Sequence, residues 1–236
     1  MDIFHVHTYR CGHAEMIEDE VYVNKAIDLR ANAIVFTDHA PFPGNPFRNR
    51  MEYSELPEYI STLKNLKKKY DGIIDVKIGL EIEYLPSFME YYHELKKCED
   101  LELLMIGQHF YEIEPGVYSF SFPELRSQEY KGCLEQAVAG MNTGMFQVLA
   151  HPDRAFRRVK QWELEHEELS KKVIVGAAAN NVLLEQNFSS MQTKNYYWPE
   201  FWNLVGAENE TIRGIDAHSV EDIEKAVLKF RCKRCR

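Results

Sequence analysis

Short apolar runs along this chain give way repeatedly to longer stretches with apolar residues at helical spacing. Residues 2–7 (DIFHVH) alternate as a strand does, and residues 18–31 place Val21, Val23, Ala26, Ile27 and Leu29 in a pattern that suits a helix. A strand at 33–37 (AIVFT) precedes the turn-rich PFPGNPF at 41–47, and a helix over 54–70 follows, with Ser54 as N-cap and a basic last turn. The same alternation predicts a strand at 75–80 with a helix at 87–97, then a strand at 103–107, a loop at 110–122 and a helix over 124–140. Strand 145–150 with helix 162–174, strand 181–186 with loop 187–196 and helix 198–206, and strand 211–215 with helix 219–230 complete the pattern.

Seven strand–helix pairs without a low-complexity linker or a break in composition predict one α/β domain over residues 1–236. Parallel strands covered by helices can form an open doubly wound sheet or close on themselves. No Gly-rich phosphate turn follows the first strand, so a barrel-like closure is the expectation. The aromatic segment YYWPEFW at 196–202 reads as core rather than as a contact surface.

Composition narrows the class. The 236 residues are 45% hydrophobic and 28% charged, far from the disordered range, and no stretch approaches the ~18 apolar residues of a spanning helix. The start MDIFHVHTYR has no basic patch before an apolar run, so no secretory signal is read there. A net charge of −9 disfavours broad docking on nucleic acid or anionic lipid. The expectation is a cytoplasmic protein with a small-molecule partner. Five scattered cysteines fit a reducing compartment. The tail CKRC (Cys232, Cys235) has no second CxxC and no βαβ start beside it, so no thiol–metal site is expected there, and Cys11 reads as a packed thiol.

The chemistry lies in histidine and carboxylate at strand ends, where barrel enzymes place their active sites. In chain order these ends carry His5 and His7, Asp38 and His39, Glu81 and Glu83, His109, His151, and Asp216 with His218, while His13 follows the first strand closely. Imidazole and carboxylate together suit zinc, manganese and iron. Strand alternation sends both rings of His-x-His to one face, and Asp216 and His218 share that spacing. Burying so many titratable groups without a metal or charge network would be very costly. His93 and His166 lie in charged helical segments and read as solvated.

The segments HVHTYRCGHA, VFTDHAPFP, GLEIEY, GQHF, LAHPD and GIDAHS resemble the PHP (polymerase and histidinol phosphatase) family, nearest its histidinol-phosphatase branch. The likeness covers essentially the whole chain, with every motif in family order. It implies a distorted (β/α)7 barrel of the PHP type and two or three divalent ions (Zn, Mn or Fe). His5, His7, Glu81 and Asp216 match the ligands of a first ion, with Glu81 bridging to a second on His109 and His151. His13, His39 and His218 match the third. Such ions make a bridging hydroxide available to attack a phosphate ester. Asp38 resembles an orienter of a ligating ring, Glu83 either lines the pocket mouth or caps its strand, and Asp216, Asp38 or a water is the proton donor.

Substrate phosphate calls for cationic donors. Arg154, Arg157 and Arg158 in PDRAFRRVK, Arg48 and Arg50 in PFRNR, and Lys194 in the sixth loop are the candidates. The sixth loop keeps Glu185-Gln186-Asn187 but lacks the Gly and Arg of the histidinol-phosphatase branch. The resemblance implies a phosphomonoesterase of histidine biosynthesis acting on L-histidinol phosphate. A phosphatase of another small ester or of phosphotyrosine, and a non-catalytic metal-binding domain, are the alternatives. A nuclease would want a basic groove, a C–N hydrolase a ligating Lys at a middle strand end, and a dead site missing ligands; none of these features is in the chain.

Overall fold

The computed structural model describes residues 1–232, the Cys232 side chain excepted, so the CKRC motif lies outside the described residues. In chain order the strands are β1 (Asp2–Val6), β2 (Ala33–His39), β3 (Asp75–Ile82), β4 (Leu103–Ile106), β5 (Glu112–Glu114), β6 (Val117–Tyr118), β7 (Val148–Leu149), β8 (Leu183–Asn187) and β9 (Thr211–Gly214). The helices are α1 (Asp19–Asp28), α2 (Leu56–Lys69), α3 (Met89–Lys97), α4 (Glu129–Met141), α5 (Leu164–Ala179), α6 (Phe188–Gln192), α7 (Pro199–Trp202) and α8 (Val220–Cys232). No helix among the described residues is long and apolar enough to cross a membrane. The chain divides into two compact units.

The first unit holds Met1–Glu81, Cys98–Leu103 and the chain from Gly214 onward. Within it β1, β2 and β3 are parallel neighbours, and the first five residues of β2 are all buried, as befits a strand covered on both faces. Helix α2 turns Tyr59, Leu63 and Leu66 inward, one stripe at helical spacing, and leaves Lys67, Lys68 and Lys69 at its C-terminal turn, where the helix dipole favours cations. The chain beyond β9 returns to β1: Ile215 N donates to Phe4 O at 2.9 Å, His7 N to Ala217 O at 2.9 Å and Ala217 N to His5 O at 3.0 Å. Strand β1 therefore has partners on both edges.

The second unit holds Ile82–Lys97 and Leu104–Arg213. Here β4 pairs with β7 and β7 with β8, all parallel, and the loop expected at 110–122 contains the antiparallel hairpin β5–β6. Helices α4 and α5 pack together; Gly140 of α4 is required because a Cβ there would lie 2.8 Å from the Tyr84 Cβ and 2.9 Å from the Ile106 Cδ1. The helix expected at 162–174 runs instead over Leu164–Ala179, and that at 198–206 shrinks to Pro199–Trp202, where Pro199 occupies the first turn. Phe201 and Trp202 are core, as their segment suggested.

His166 corrects its reading as solvated. It lies on the buried stripe His166, Leu169, Ser170, Val173, Ile174 and Ala177, its Nδ1 accepts the Glu163 N–H at 2.9 Å, and Tyr130, Phe156 and Trp162 surround it. The charged neighbours Glu163, Glu165 and Glu167 masked the helical register. His93 is exposed, as expected.

Buried Arg10 ties the turn after β1 to two helices. Its Nη1 donates to both Asp19 oxygens at 3.0 and 2.9 Å, and its Nε and Nη2 to Glu58 at 2.9 and 3.1 Å. Arg10→Ala leaves the Asp19 carboxylate buried without its cation and should cost about 3–5 kcal/mol in urea unfolding. Arg10→Ala/Asp19→Ala should recover part of that loss; equal stability of the two variants would contradict the ion-pair account.

Candidate metal centre

The first unit gathers eight of the sequence candidates. Register pairs His39 at the end of β2 with Glu81 near the end of β3, and the returning segment sets Asp216 and His218 beside His5 and His7. His5 and His7 do not converge by plain alternation. The β1–β2 register skips His5, which bulges at φ 70°, and Asp216 sits at φ 60°. Left-handed backbone is uncommon outside glycine, although His and Asp adopt it more readily than most, and such strain concentrates at functional sites.

The result is a tight cluster. His5 Nε2 and His7 Nε2 are 3.0 Å apart. Glu81 Oε2 lies 3.5 Å from each, and Asp216 Oδ1 lies 3.7 Å from His5 Nε2 and 3.2 Å from His7 Nε2. Four ligands on a tetrahedral ion with bonds of about 2.0–2.2 Å stand about 3.3–3.6 Å from one another. The donor set and its spacing therefore fit a divalent ion. His39 Nδ1 approaches Glu81 Oε2 at 3.1 Å. Ligand atoms of His7, His39 and His218 fall within 4.8 Å of one another, as do those of Cys11, His13 and His218.

The outer ring nitrogens are anchored. His13 Nδ1 lies 2.9 Å from the Cys11 carbonyl and His218 Nδ1 3.1 Å from the Asp216 carbonyl. Donation there fixes the tautomer and leaves Nε2 as a lone-pair ligand. The buried His218 Nε2 has no hydrogen-bond partner among the described residues. Asp38 accepts the Thr8 hydroxyl and, at 3.2 and 3.0 Å, the backbone N–H groups of Thr8 and His39, and its Oδ1 faces His7 Nδ1 at 3.5 Å.

Electrostatics follow from this packing. Burial by itself lowers the His7 pKa, but the carboxylates of Asp216, Asp38 and Glu81 overcome it and hold His7 up at about 9. Burial and the neighbouring His7 push His218 down to about 4. Despite burial, His7 and Thr8 keep Asp38 below the usual carboxylate range, so it stays ionised at neutral pH. Burial raises the Cys11 thiol to about 12, in keeping with a packed thiol.

In the second unit His109 Nδ1 lies 2.9 Å from buried Glu83, and the His109 and His151 rings have centroids 5.3 Å apart. Glu83 thus sits against a ligand candidate rather than capping its strand. His151 adopts φ 30°, and its N–H donates to Glu185 Oε2 at 3.0 Å. Glu185 also accepts Asn187 Nδ2 at 3.0 Å. The sequence marks Glu185 only as the start of the E-x-N stretch at the sixth strand end, without a role at the site. Buried Asp153 accepts Trp198 N and Trp202 Nε1, both at 2.9 Å, and was not foreseen at all.

The cationic candidates are placed unevenly. Arg157 Nη2 donates to Glu129 Oε2 at 2.8 Å and to the His109 carbonyl at 3.1 Å, and Arg158 also pairs with buried Glu129. From the turn after β7, Arg154 reaches Asn187 Oδ1, at the C-terminal end of β8, at 2.9 Å and Ser190 Oγ at 3.0 Å. In the first unit Arg50 donates to the Ala40 carbonyl at 3.0 Å and lies over Phe42 and Phe47, whereas Arg48 and, in the second unit, Lys194 are exposed.

A family model for the PHP domain matches residues 4–189, and the chain belongs to this family. The histidinol-phosphatase of Bacillus subtilis is 32% identical over 267 aligned positions, covering 98% of each protein. A relative from Deinococcus radiodurans with a histidinol-phosphatase name is 28% identical over 163 residues; the match covers 63% of this chain but only 59% of that protein. Among solved structures, a histidinol phosphatase homologue from Listeria monocytogenes superposes with a TM-score of 0.79 at 18% identity, covering 98% of this chain and 100% of that one. The Lactococcus lactis histidinol phosphate phosphatase, solved with zinc, L-histidinol and phosphate, gives 0.69 at 21% identity, with 97% and 92% coverage. The shared fold is the PHP-type (β/α)7 architecture expected from the sequence.

The His7 shift has a direct consequence. A pKa raised from 6.5 to about 9 stabilises the metal-free protein fully below pH 6.5, and this contribution is lost as pH rises through 9. Chelator-treated protein should therefore show a falling urea midpoint between those pH values, and His7→Gln should flatten the fall. A midpoint that rises over the same interval, with no change in His7→Gln, would contradict the assignment.

Proposed function

We propose that this protein is a metal-dependent phosphomonoesterase that hydrolyses L-histidinol phosphate to L-histidinol and phosphate, with residues 1–236 acting as one catalytic domain in the cytoplasm. The observation that carries the reading is the buried convergence of His5 and His7 Nε2, 3.0 Å apart, on the carboxylates of Glu81 and Asp216. The substrate is supported by the Bacillus subtilis relative, matched along 98% of both chains and named for that activity.

His5, His7, Glu81 and Asp216 would hold one ion, His109 and His151 a second, and His13, His39 and His218 a third. Zn, Mn and Fe all suit this donor set. When bound, divalent ions supply a nucleophilic oxygen at neutral pH and offset the charge of the phosphoryl group.

The chain's own residues supply orientation and charge. The Cys11 and Asp216 carbonyls and the Glu83 carboxylate accept the Nδ1 protons of His13, His218 and His109, which aims each Nε2 as a ligand. Ionised Asp38 holds His7 in place. Asp216, also a carboxylate beside His7, is assigned the proton relay: it would take a proton from the attacking water and pass it to the departing alcohol oxygen. Arg154, in the turn after β7 and hydrogen-bonded to Asn187 at the end of β8, is the arginine assigned to the phosphate.

Phosphate release from L-histidinol phosphate, measured after chelation and after return of Zn²⁺, Mn²⁺ or Fe²⁺, tests the reading. Turnover should vanish on chelation and return with metal, and His39→Ala or Glu81→Ala should lower kcat/KM more than about a hundredfold. Full turnover in the chelated protein would overturn it. Arg154→Ala should raise KM about tenfold with a smaller change in kcat; an unchanged KM would make Arg154 solely a tie between loops.

A further inference from the structure

The segment immediately after His109 carries an aromatic cluster that the phosphoryl chemistry leaves unused. The Tyr118 and Phe120 rings stack with centroids 5.6 Å apart and planes 16° from parallel. Phe110, one residue beyond the ligand candidate, meets them edge-on at 5.8 and 5.1 Å. Phe110 is buried, whereas Phe120 is 47% exposed, so the cluster is sealed beneath and open at Phe120.

Polar anchors fix the ring in place. Ser119 N donates to the Tyr111 carbonyl at 2.9 Å, and the Ser119 hydroxyl donates to Glu129 Oε1 at 2.9 Å. The other oxygen of Glu129 takes Arg157, whose Nη2 also donates to the His109 carbonyl at 3.1 Å. A buried carboxylate and an arginine thus lock the residue before Phe120 to the backbone of a metal-ligand candidate. That arrangement accounts for two of the arginines in the loop after His151 without a phosphate, and it holds an exposed aromatic ring in a fixed orientation.

We propose that Phe120, backed by Tyr118 and Phe110, is the stacking platform for the imidazole of L-histidinol phosphate, and so a specificity-determining residue. The inference rests on the phosphatase reading and deepens it. With the phosphate held at the metal ligands, the alcohol portion of the ester must extend away from them, and the platform begins one residue past His109. Imidazole is flat and partly cationic near neutral pH, and aromatic faces attract both properties. The platform selects phosphate esters whose alcohol carries a flat aromatic ring over wholly aliphatic ones of equal charge.

The test compares metal-loaded wild type, Phe120→Ala and Phe120→Tyr by KM for L-histidinol phosphate relative to the inhibition constant of inorganic phosphate, with calorimetric binding of L-histidinol alongside. Phe120→Ala should raise the KM ratio and weaken L-histidinol binding about tenfold, while Phe120→Tyr keeps both near wild type. An unchanged ratio and affinity in Phe120→Ala, with a wild type that hydrolyses the ester, would overturn the platform alone. A wild type that binds L-histidinol through Phe120 without releasing phosphate would uphold the platform and overturn the phosphatase. A wild type that neither binds nor hydrolyses would overturn both.

Discussion

Two imidazole nitrogens held 3.0 Å apart, sealed from water and faced by two carboxylates, form the constraint on which this protein depends. Two facing lone pairs at that distance repel, and either a proton shared between the rings or a cation relieves the repulsion. In the metal-free protein the carboxylates of Asp216, Asp38 and Glu81 outweigh burial and hold His7 up at about 9, while burial and the neighbouring His7 drive His218 down to about 4. A divalent cation relieves the repulsion more fully, since it accepts several lone pairs at once. The local backbone bears the cost of assembling this geometry: His5 and Asp216 both adopt left-handed conformations, roughly 1–3 kcal/mol each. The return of the chain onto β1 is the element that makes the cost bearable, because it clamps His5 and Ala217 to each other by backbone hydrogen bonds.

The two units contribute in different ways. The first supplies a dense, strained knot of histidines whose outer nitrogens are tied to backbone carbonyls. In the second, carboxylates do the tying: Glu83 holds His109, Glu185 holds the backbone of His151, and Glu129 fixes Arg157, Arg158 and the aromatic hairpin. Acidic residues there act as internal braces, so an arginine near a ligand is not by that fact a phosphate anchor.

The strand ends were legible in the sequence because parallel strands alternate with helices and place their last residues on one side. His5, His39, Glu81 and Asp216 could be read from that rule alone, without atomic positions. The rule was silent on how His5 would turn: alternation predicts a common face, while the structure reaches it through a bulge that no propensity announces. His166 was hidden for the opposite reason, its stripe of apolar partners being interleaved with glutamates. Glu129 and Asp153 escaped because their partners, Ser119 with Arg157 and Trp198 with Trp202, are remote in sequence and meet only on folding. Short strands such as Glu112–Glu114 and Val117–Tyr118 carry too few residues for a periodic signal.

The most direct test of the central claim is elemental analysis of the protein after saturation with Zn²⁺ and exhaustive dialysis, beside the variant His5→Ala/His7→Ala. The account predicts tightly retained zinc at two or more ions per chain in the wild type and at least one fewer in the variant. Equal metal content in both proteins would contradict the assignment of the buried histidine pair as the heart of a metal centre.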